Sequence, residues 1–161
     1  MAKGIEKTNA IRILDKSKMK YEIHTFQDDI ALSGVEVANL LHQDPSHVFK
    51  TLVTIGKSNQ HYVFVIPSSC ELDLKKAAKI VDEKYIEMIK SKELLPLTGY
   101  IHGGCSPIGM KKYFKTTIHE SAKDFDTIYF SGGKIGYQIE MNVMDLGKVI
   151  QINFGDVVEK E

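Results

Sequence analysis

The chain has 161 residues, of which 43% are apolar and 26% charged, values that exclude long disorder, collagen and coiled coil as main architectures. Its 21 basic residues balance its 21 acidic ones, and this argues against a dedicated nucleic-acid coat or a strongly membrane-seeking protein. The charge is uneven, because residues 50–134 carry thirteen lysines and nine acids, which is compatible with brief contact with a polyanion.

The first half of the chain predicts two helices and three strands. Thr8 caps a helix that ends near Lys18, and residues 21–26 alternate as in a short strand. Ser33-Gly34-Val35-Glu36 is a capping box for a helix that ends near Gln43. Residues 48–55 and 61–67 are rich in β-branched side chains and flank a turn at 56–59, so they predict a hairpin.

The second half predicts three helices and three strands. Asp73 caps a helix through Val81, a second helix runs over 91–98, and Asn142 or Asp145 opens a third towards residue 150. Strands are predicted at 116–119, 127–130 and 138–141. Short connections favour a mixed, mostly antiparallel sheet, so we expect residues 1–161 to form one α+β domain with helices around the sheet.

The cysteines and the apolar runs indicate the compartment. Cys70 and Cys105 form no CxxC motif, the N-terminus lacks the apolar run of a signal peptide, and the longest apolar stretch, 62–67, is too short to span a bilayer. We therefore expect a cytoplasmic protein with free thiols and no membrane partner.

Lys50 is the most informative single residue. Alternation along a strand places it on one face with Val48, Leu52 and Thr54, which ought to be at least half buried. Burying an ammonium is costly without a partner. The residue either snorkels at the strand edge or is a cation at the mouth of a pocket that holds a carbonyl, a carboxylate or a phosphate.

Two glycine-rich loops, 103–109 and 131–133, are candidate ligand-binding segments. Glycine lets the backbone approach a ligand, and backbone N–H groups in such loops can bind an oxyanion or a carbonyl. The alternative is a tight connection that needs positive φ. Neither loop is a Walker A or GxGxxG motif.

Other reactive side chains support weaker hypotheses. Cys105, three residues from His102, is either a nucleophile or a small buried hydrophobe. A metal site from His102, Cys105 and His119 lacks the usual ligand spacing, so we expect no metal. The lysines at 75, 76 and 79, and those at 111, 112 and 115, form either solvated faces or contacts with a nucleic-acid backbone.

Four segments in order closely resemble the YbaK/EbsC family of free-standing aminoacyl-tRNA editing domains, relatives of the insertion domain of bacterial prolyl-tRNA synthetases. They are Phe49-Lys50-Thr51-Leu52, residues 72–78, residues 98–109 and residues 128–134, and the resemblance extends from Thr8 to about Val158. It implies the fold of that family, and it implies hydrolysis of the ester that joins a wrong amino acid to the 3′-terminal adenosine of tRNA. The branch that deacylates Cys-tRNA(Pro) and Cys-tRNA(Cys) is the most similar.

The resemblance also implies site residues. Lys50 matches the functional lysine of the family, and Thr51 follows it in the pocket. Gly103 and Pro107 match the ends of a GxxxP loop whose amides are placed to bind the ester carbonyl, with Gly104 and Ser106 between them. Ser131 and Gly132 match a second loop. Phe26 stands where the family has Tyr, so a hydroxyl is absent there, although Phe26 can still wall the pocket.

The family mechanism uses the thiol of the substrate, which attacks the ester carbonyl, forms a cyclic thiolactone and releases the tRNA. It implies that Cys105 is dispensable, that no cofactor is needed, and that the partners are aminoacyl-tRNA and prolyl-tRNA synthetase rather than DNA. Three alternatives remain open: an editor of alanine or serine, a non-catalytic module that binds the tRNA end or the synthetase, and a Cys105-dependent thiol hydrolase of small esters.

Overall fold

A computed structural model of the protein describes residues 6–27 and 32–160. Residues 1–5, which belong to the segment searched for a signal peptide, and residues 28–31 lie outside the described part of the chain. Across the residues that are described, no helix is long and apolar enough to cross a membrane.

Four of the five described α-helices begin at capping side chains that the sequence supplies. The side chain of Thr8 accepts a hydrogen bond in the first turn, Ser33 and Glu36 form the predicted capping box, and Asn142 rather than Asp145 caps the last helix. The second helix ends earlier than predicted, before His42, whose φ of 58° breaks the helical path. The α-helices of the described chain are α1 (Asn9–Ser17), α2 (Gly34–Leu40), α3 (Leu74–Ile80), α4 (Ser91–Thr98) and α5 (Val143–Val149), with 3₁₀ turns at Pro45–His47 and Glu120–Asp124.

The strands of the described chain form two sheets. They are β1 (Glu22–Thr25), β2 (Phe49–Gly56), β3 (His61–Pro67), β4 (Ile86–Met88), β5 (Lys115–His119), β6 (Ile128–Ser131), β7 (Tyr137–Met141) and β8 (Asn153–Gly155). The smaller sheet, in the order β1-β7-β6, is antiparallel throughout. The larger sheet has the order β4-β2-β3-β5-β8; its pairs β4-β2 and β2-β3 are antiparallel, and its pairs β3-β5 and β5-β8 are parallel.

The predicted α+β class and the predominance of antiparallel pairing are confirmed, but the strands divide into two sheets, which the sequence analysis did not anticipate. β4 and β8 were not predicted, because they have three residues each and are too short to display a clear alternation. The two sheets meet through an isolated bridge between Val48 and Tyr129, so the start of β2 lies at their junction.

The central strand β3 is buried almost throughout, which accounts for its continuous apolar sequence. Val63 and Val65 belong to a large apolar cluster that joins the two sheets to α1 and α5, whereas Phe64 and Ile66 belong to a second cluster with α3. Because β2 pairs with β3 along its whole length, the side chains of β2 alternate between the same two faces.

Candidate functional site

A cavity of about 450 Å³ opens beside the first half of β2, a size typical of small-molecule sites. Its wall is mainly apolar, with one cation and several hydroxyl, thiol and amide groups. The apolar lining side chains are Phe26, Leu32, Val37, Val48, Phe49, Leu52, Val53, Met88, Ile89, Leu94 and Phe130. The polar lining side chains are Ser33, Lys50, Thr51, Ser91, His102, Cys105, Ser131, Tyr137 and Gln138.

The cavity lies where β4 stops covering β2. β4 pairs only with residues 54–56 of β2, and the chain beyond it stays close for one more contact, between Ile89 N and Val53 O at 3.4 Å. Residues 48–53 all line the cavity and residues 54–56 do not. The short length of β4 therefore leaves one edge of the sheet open, and the cavity occupies that edge.

Lys50 lies on the half-buried strand face that the sequence predicted. It is opposite Ile66 on β3 and its side chain is 27% exposed. Among the described acids, the ion-pair partner of its Nζ is Glu71 Oε2 at 3.8 Å, and the Glu71 side chain is 77% exposed. A pair this long, with one partner in water, contributes little. The ammonium therefore lies at the cavity wall with a single long ion pair among the described residues.

Thr51 supplies an unusual polar group at the open edge of the sheet. Its Oγ1 is the one buried side-chain nitrogen or oxygen in the described residues that has no hydrogen-bond partner. An unsatisfied buried hydroxyl costs roughly 1–3 kcal/mol of stability. Thr51 is also a lining residue of the cavity, so its buried hydroxyl lies next to the space that a ligand would occupy.

The loop after α4 contributes only part of its predicted residues to the cavity. Gly103, at φ 87°, lines the wall together with its neighbour His102. Gly104, Ser106 and Pro107 are buried behind the wall and are not lining residues. A Cβ on Gly104 would lie 3.0 Å from Ile135 N, and Ser106 Oγ accepts a hydrogen bond from Ile108 N at 3.2 Å. Substrate contact by these three residues remains a prediction, and their observed contacts maintain the shape of the loop.

The second glycine loop joins β6 to β7, and again only part of its predicted residues line the cavity. Ser131 lines the cavity, and its Oγ accepts a hydrogen bond from Gly133 N at 3.1 Å. Gly132 lies behind it: its N–H donates to Tyr137 O at 2.9 Å and its carbonyl accepts from Thr8 Oγ1 at 2.6 Å. A substrate contact of Gly132 stays a prediction; the structure places it against neighbouring backbone.

Cys105 lines the cavity as a protonated thiol. It is 8% exposed, and burial raises the pKa of its thiol to about 12, with a smaller opposing effect of a hydrogen bond to Thr98. Burial likewise raises the pKa of the neighbouring Tyr100 to about 12, and its hydroxyl donates to Ile108 O at 2.6 Å. A nucleophilic cysteine needs a lowered pKa. The geometry therefore favours a small buried hydrophobe over a nucleophile.

The predicted metal candidates His102, Cys105 and His119 do not form a cluster. The close group of possible ligands in the described chain is Glu22, His24 and Glu140, on β1 and β7 of the smaller sheet. Both oxygens of Glu140 already accept hydrogen bonds, from His24 Nε2 at 2.8 Å and from Thr127 Oγ1 at 2.6 Å. Burial acts to raise the pKa of Glu140, but these hydrogen bonds outweigh it and lower the pKa.

Sequence reasoning missed a pair of glutamines that fixes one wall. Gln138, 3% exposed and in the cavity lining, exchanges two amide hydrogen bonds with Gln43, which follows α2. The distances are 2.8 and 2.9 Å. The pair ties α2, which supplies Val37 to the wall, to β7. Residues 95 positions apart give no local signal of such a contact.

Comparisons with solved structures support the fold. A hypothetical protein of known crystal structure superposes with a TM-score of 0.86 at 20% identity, covering 94% of this chain and 99% of the other. A second crystal structure, provisionally named a trans-editing enzyme for prolyl-tRNA synthetase, gives a TM-score of 0.83 at 19% identity over 94% of this chain and 96% of the other. At these identities the likeness establishes the shared fold.

Comparisons of sequence establish the family. A protein of Enterococcus faecalis with the provisional name Cys-tRNA(Pro)/Cys-tRNA(Cys) deacylase EbsC is 42% identical over 157 residues, which are 97% of this chain and 96% of that protein. The sequence pattern of the aminoacyl-tRNA editing domain matches residues 30–149. These matches confirm the resemblance predicted from the four sequence segments, and the chain belongs to the aminoacyl-tRNA editing domain family.

Proposed function

We propose that this protein is a trans-editing hydrolase that removes cysteine from mischarged tRNA(Pro), with Cys-tRNA(Cys) as a second substrate. The observation that carries the proposal is the cavity at the open edge of β2, which is lined by Lys50, a cation with one long ion pair, and by Thr51, whose hydroxyl has no partner among the described residues. Membership of the editing-domain family supplies the class of substrate. The similar Enterococcus protein is named for cysteine on these two tRNAs.

Lys50 and Thr51 would divide the polar contacts with the aminoacyl ester. The Lys50 ammonium stabilises negative charge that develops on the ester carbonyl or on the terminal phosphate, which is the usual role of a fixed cation in acyl transfer. Thr51 Oγ1 supplies a hydrogen bond that the free protein leaves unmade. Gly103 at the wall places main-chain groups near the same carbonyl, and Phe26 and Ser131 complete the surrounding surface.

The proposed chemistry uses the thiol of the substrate as the nucleophile. The sulfur attacks its own ester carbonyl carbon, the carbon–oxygen bond to the ribose breaks, and the thiol proton passes to the departing ribose oxygen. The products are a cyclic thiolactone and free tRNA. The protein then contributes orientation and electrostatic stabilisation rather than a nucleophile.

Two observations support a nucleophile from the substrate. The pKa of Cys105 is raised by burial to about 12, so its thiolate is scarce at neutral pH. The hydroxyls of Ser33 and Ser131 accept hydrogen bonds from backbone N–H groups, and among the described residues no histidine is hydrogen-bonded to a serine, threonine or cysteine of the cavity wall. A side-chain nucleophile would need such a base.

The rest of the proposal concerns the cellular setting. We propose that residues 1–161 act as one editing domain in the cytoplasm, where charged tRNA is made, and that prolyl-tRNA synthetase presents the substrate. A net charge of zero supports a synthetase partner, because a protein with no excess of cations has limited affinity for free tRNA.

Single-turnover deacylation of Cys-, Ala- and Ser-tRNA(Pro) tests the proposal. We expect rapid loss of cysteine alone, with recovery of a thiolactone or its hydrolysis product. Rapid loss of alanine or serine instead would contradict the substrate and keep the reaction class. Stability of all three esters, with binding of tRNA retained, would contradict the enzyme and favour a non-catalytic module.

A further inference from the structure

One rim of the cavity carries a cluster of lysines that have no ion-pair partner in the described part of the chain. Residues 84–115, which include β4, α4 and the glycine loop, contain six lysines and two glutamates. None of these six lysines forms an ion pair with any described residue. Four of them are exposed and are here called the basic rim: Lys90 and Lys92, which flank the lining residue Ser91 in sequence, Lys111, which contacts the end of α4, and the next residue, Lys112.

The basic rim is adjacent to the cavity mouth. Lys90 and Lys92 alternate in sequence with Ile89 and Ser91, two residues of the cavity wall. Lys111 lies at the other end of α4, where its Nζ donates to Pro96 O at 3.3 Å. Since α4 has eight residues and a rise of 1.5 Å per residue, its two ends are about 12 Å apart. A single phosphate cannot occupy both ends, but a polyanion can.

The other surfaces around the cavity lack this excess. The positive charge of the lysines on α3 is balanced by nearby acids. Residues 71–83 hold three lysines and four acids, and Lys76 is paired with Asp156 at 3.0 Å. The wall that includes α2 is acidic, since residues 32–49 carry Glu36 and Asp44 and no lysine. Of the α2, α3 and α4 regions, the α4 region therefore has the charge that most favours a polyanion.

The basic rim also exposes apolar side chains. Met88, Leu95, Ile101 and Tyr113 are 47–58% exposed, and all of them except Ile101 lie within three residues of a rim lysine. Exposed apolar and aromatic groups interleaved with lysines are the surface that unstacked bases and a sugar-phosphate backbone fit. A purely acidic protein partner would use the lysines but would leave these side chains in water.

We propose that the basic rim binds the sugar-phosphate backbone of the acceptor end of the aminoacyl-tRNA, so that the RNA crosses α4 and the loop after it before its last nucleotide enters the cavity. The inference rests on the proposed function, because it concerns the path of that same substrate. It assigns α4 to RNA binding and α3 to a solvated face.

A matched pair of triple variants tests this path. The rim variant carries Lys90→Gln, Lys92→Gln and Lys112→Gln, and the control carries Lys57→Gln, Lys75→Gln and Lys79→Gln; all six side chains are exposed. Each variant is assayed on Cys-tRNA(Pro) and on the cysteinyl ester of adenosine, which has the reacting bond but no stem. We expect the rim variant to need about tenfold more tRNA for half-maximal rate at about 150 mM salt, and to lower the salt slope by about 2. Its rate on cysteinyl adenosine should stay within about twofold of wild type, and the control should match wild type on both substrates.

Four outcomes overturn the proposal. The first is an unchanged tRNA dependence of the rim variant, and the second is an equal loss in the control. The third is a loss of cysteinyl adenosine turnover in the rim variant, which would place the lysines in folding or in the cavity. The fourth is a defect that occurs only when prolyl-tRNA synthetase is present, which would make the rim a protein-binding surface. A wild-type protein that cleaves neither substrate would instead refute the proposed function.

Discussion

The two halves of β2 have the same neighbour on one side and different neighbours on the other. Residues 54–56 pair with β3 and with β4, whereas residues 48–53 have the cavity on the side that β4 does not reach. In the half that β4 covers, here called the covered half, Thr54 Oγ1 donates to Tyr62 O at 2.9 Å. In the half beside the cavity, here called the open half, Thr51 Oγ1 has no partner. Because β4 ends early, part of β2 is left open and forms the site. Along β2, the residues paired with β4 maintain the fold, whereas those beside the cavity are the ones we expect to take part in the reaction.

The largest expected effect is in the open half. Lys50→Ala should lower the single-turnover rate on Cys-tRNA(Pro) by about 10²-fold or more, because it removes the cation nearest the proposed ester site. Thermal unfolding should change little, since the ion pair with Glu71 is long and exposed. Lys57→Ala, an exposed lysine just beyond the covered half of β2, is the control and should retain full rate. A catalytically normal Lys50→Ala would refute the assignment.

Thr54 and Thr51 provide a matched test, because we expect one substitution to lower stability without changing the rate and the other to lower the rate without lowering stability. Thr54→Val removes a buried hydrogen bond and should lower the free energy of unfolding by about 1 kcal/mol with the deacylation rate unchanged. Thr51→Val removes a hydroxyl that has no partner, so stability should stay equal or rise by up to about 1 kcal/mol, while the rate falls about tenfold. Denaturant titration and single-turnover assays measure both quantities.

The threonine comparison fails in either of two ways. Equal destabilisation by both substitutions would mean that Thr51 is hydrogen-bonded in solution. A rate loss in Thr54→Val with a normal rate in Thr51→Val would place the reaction at the part of β2 that β4 covers rather than at the cavity.

Cys105→Ala should have a small effect on the reaction. The rate on Cys-tRNA(Pro) should remain within about twofold, because the thiol is buried and protonated at neutral pH. At pH 8 iodoacetamide should modify the partly exposed Cys70 well before Cys105, which mass spectrometry of peptides can follow. Loss of turnover in a folded Cys105→Ala protein would favour the thiol hydrolase alternative.

The smallest effect is expected from Glu71→Gln. This substitution leaves the open half of β2 unchanged and removes the ion-pair partner of Lys50. Because Glu71 is 77% exposed and its Oε2 lies 3.8 Å from Lys50 Nζ, we expect a rate increase of no more than about twofold. Repeating the assay in high salt should abolish the difference. A large rate loss would instead show that Glu71 holds Lys50 in its working position.

Patterns among neighbouring residues predicted the helices and strands whose own sequence shows a clear capping or burial pattern. The capping box of Ser33 and Glu36 and the buried run of β3 identified a helix and a central strand. The period of two placed Lys50 correctly on a half-buried face. β4 gave no signal because it has only three residues, and its early end is what opens the cavity.

Contacts distant in sequence could not be predicted. Which residues of a glycine loop face a cavity depends on what packs behind them, so Gly103 and Ser131 reach the wall while Gly104 and Gly132 meet neighbouring backbone. The pairing of Gln43 with Gln138 depends on how α2 docks on the smaller sheet. The unpartnered hydroxyl of Thr51 is visible only once every neighbour is in place.

The most direct test of the account is to locate a bound substrate analogue on β2. Cysteinyl adenosine with an amide in place of the ester resists cleavage, and methyl NMR spectra of the protein can be recorded during its titration. The account predicts that the Thr51 and Val53 methyl signals shift saturably, while the Thr54 methyl signal does not move. Shifts at Thr54 without shifts at Thr51, or binding that leaves all three signals unchanged, would contradict the claim that the open half of β2 is the site of deacylation.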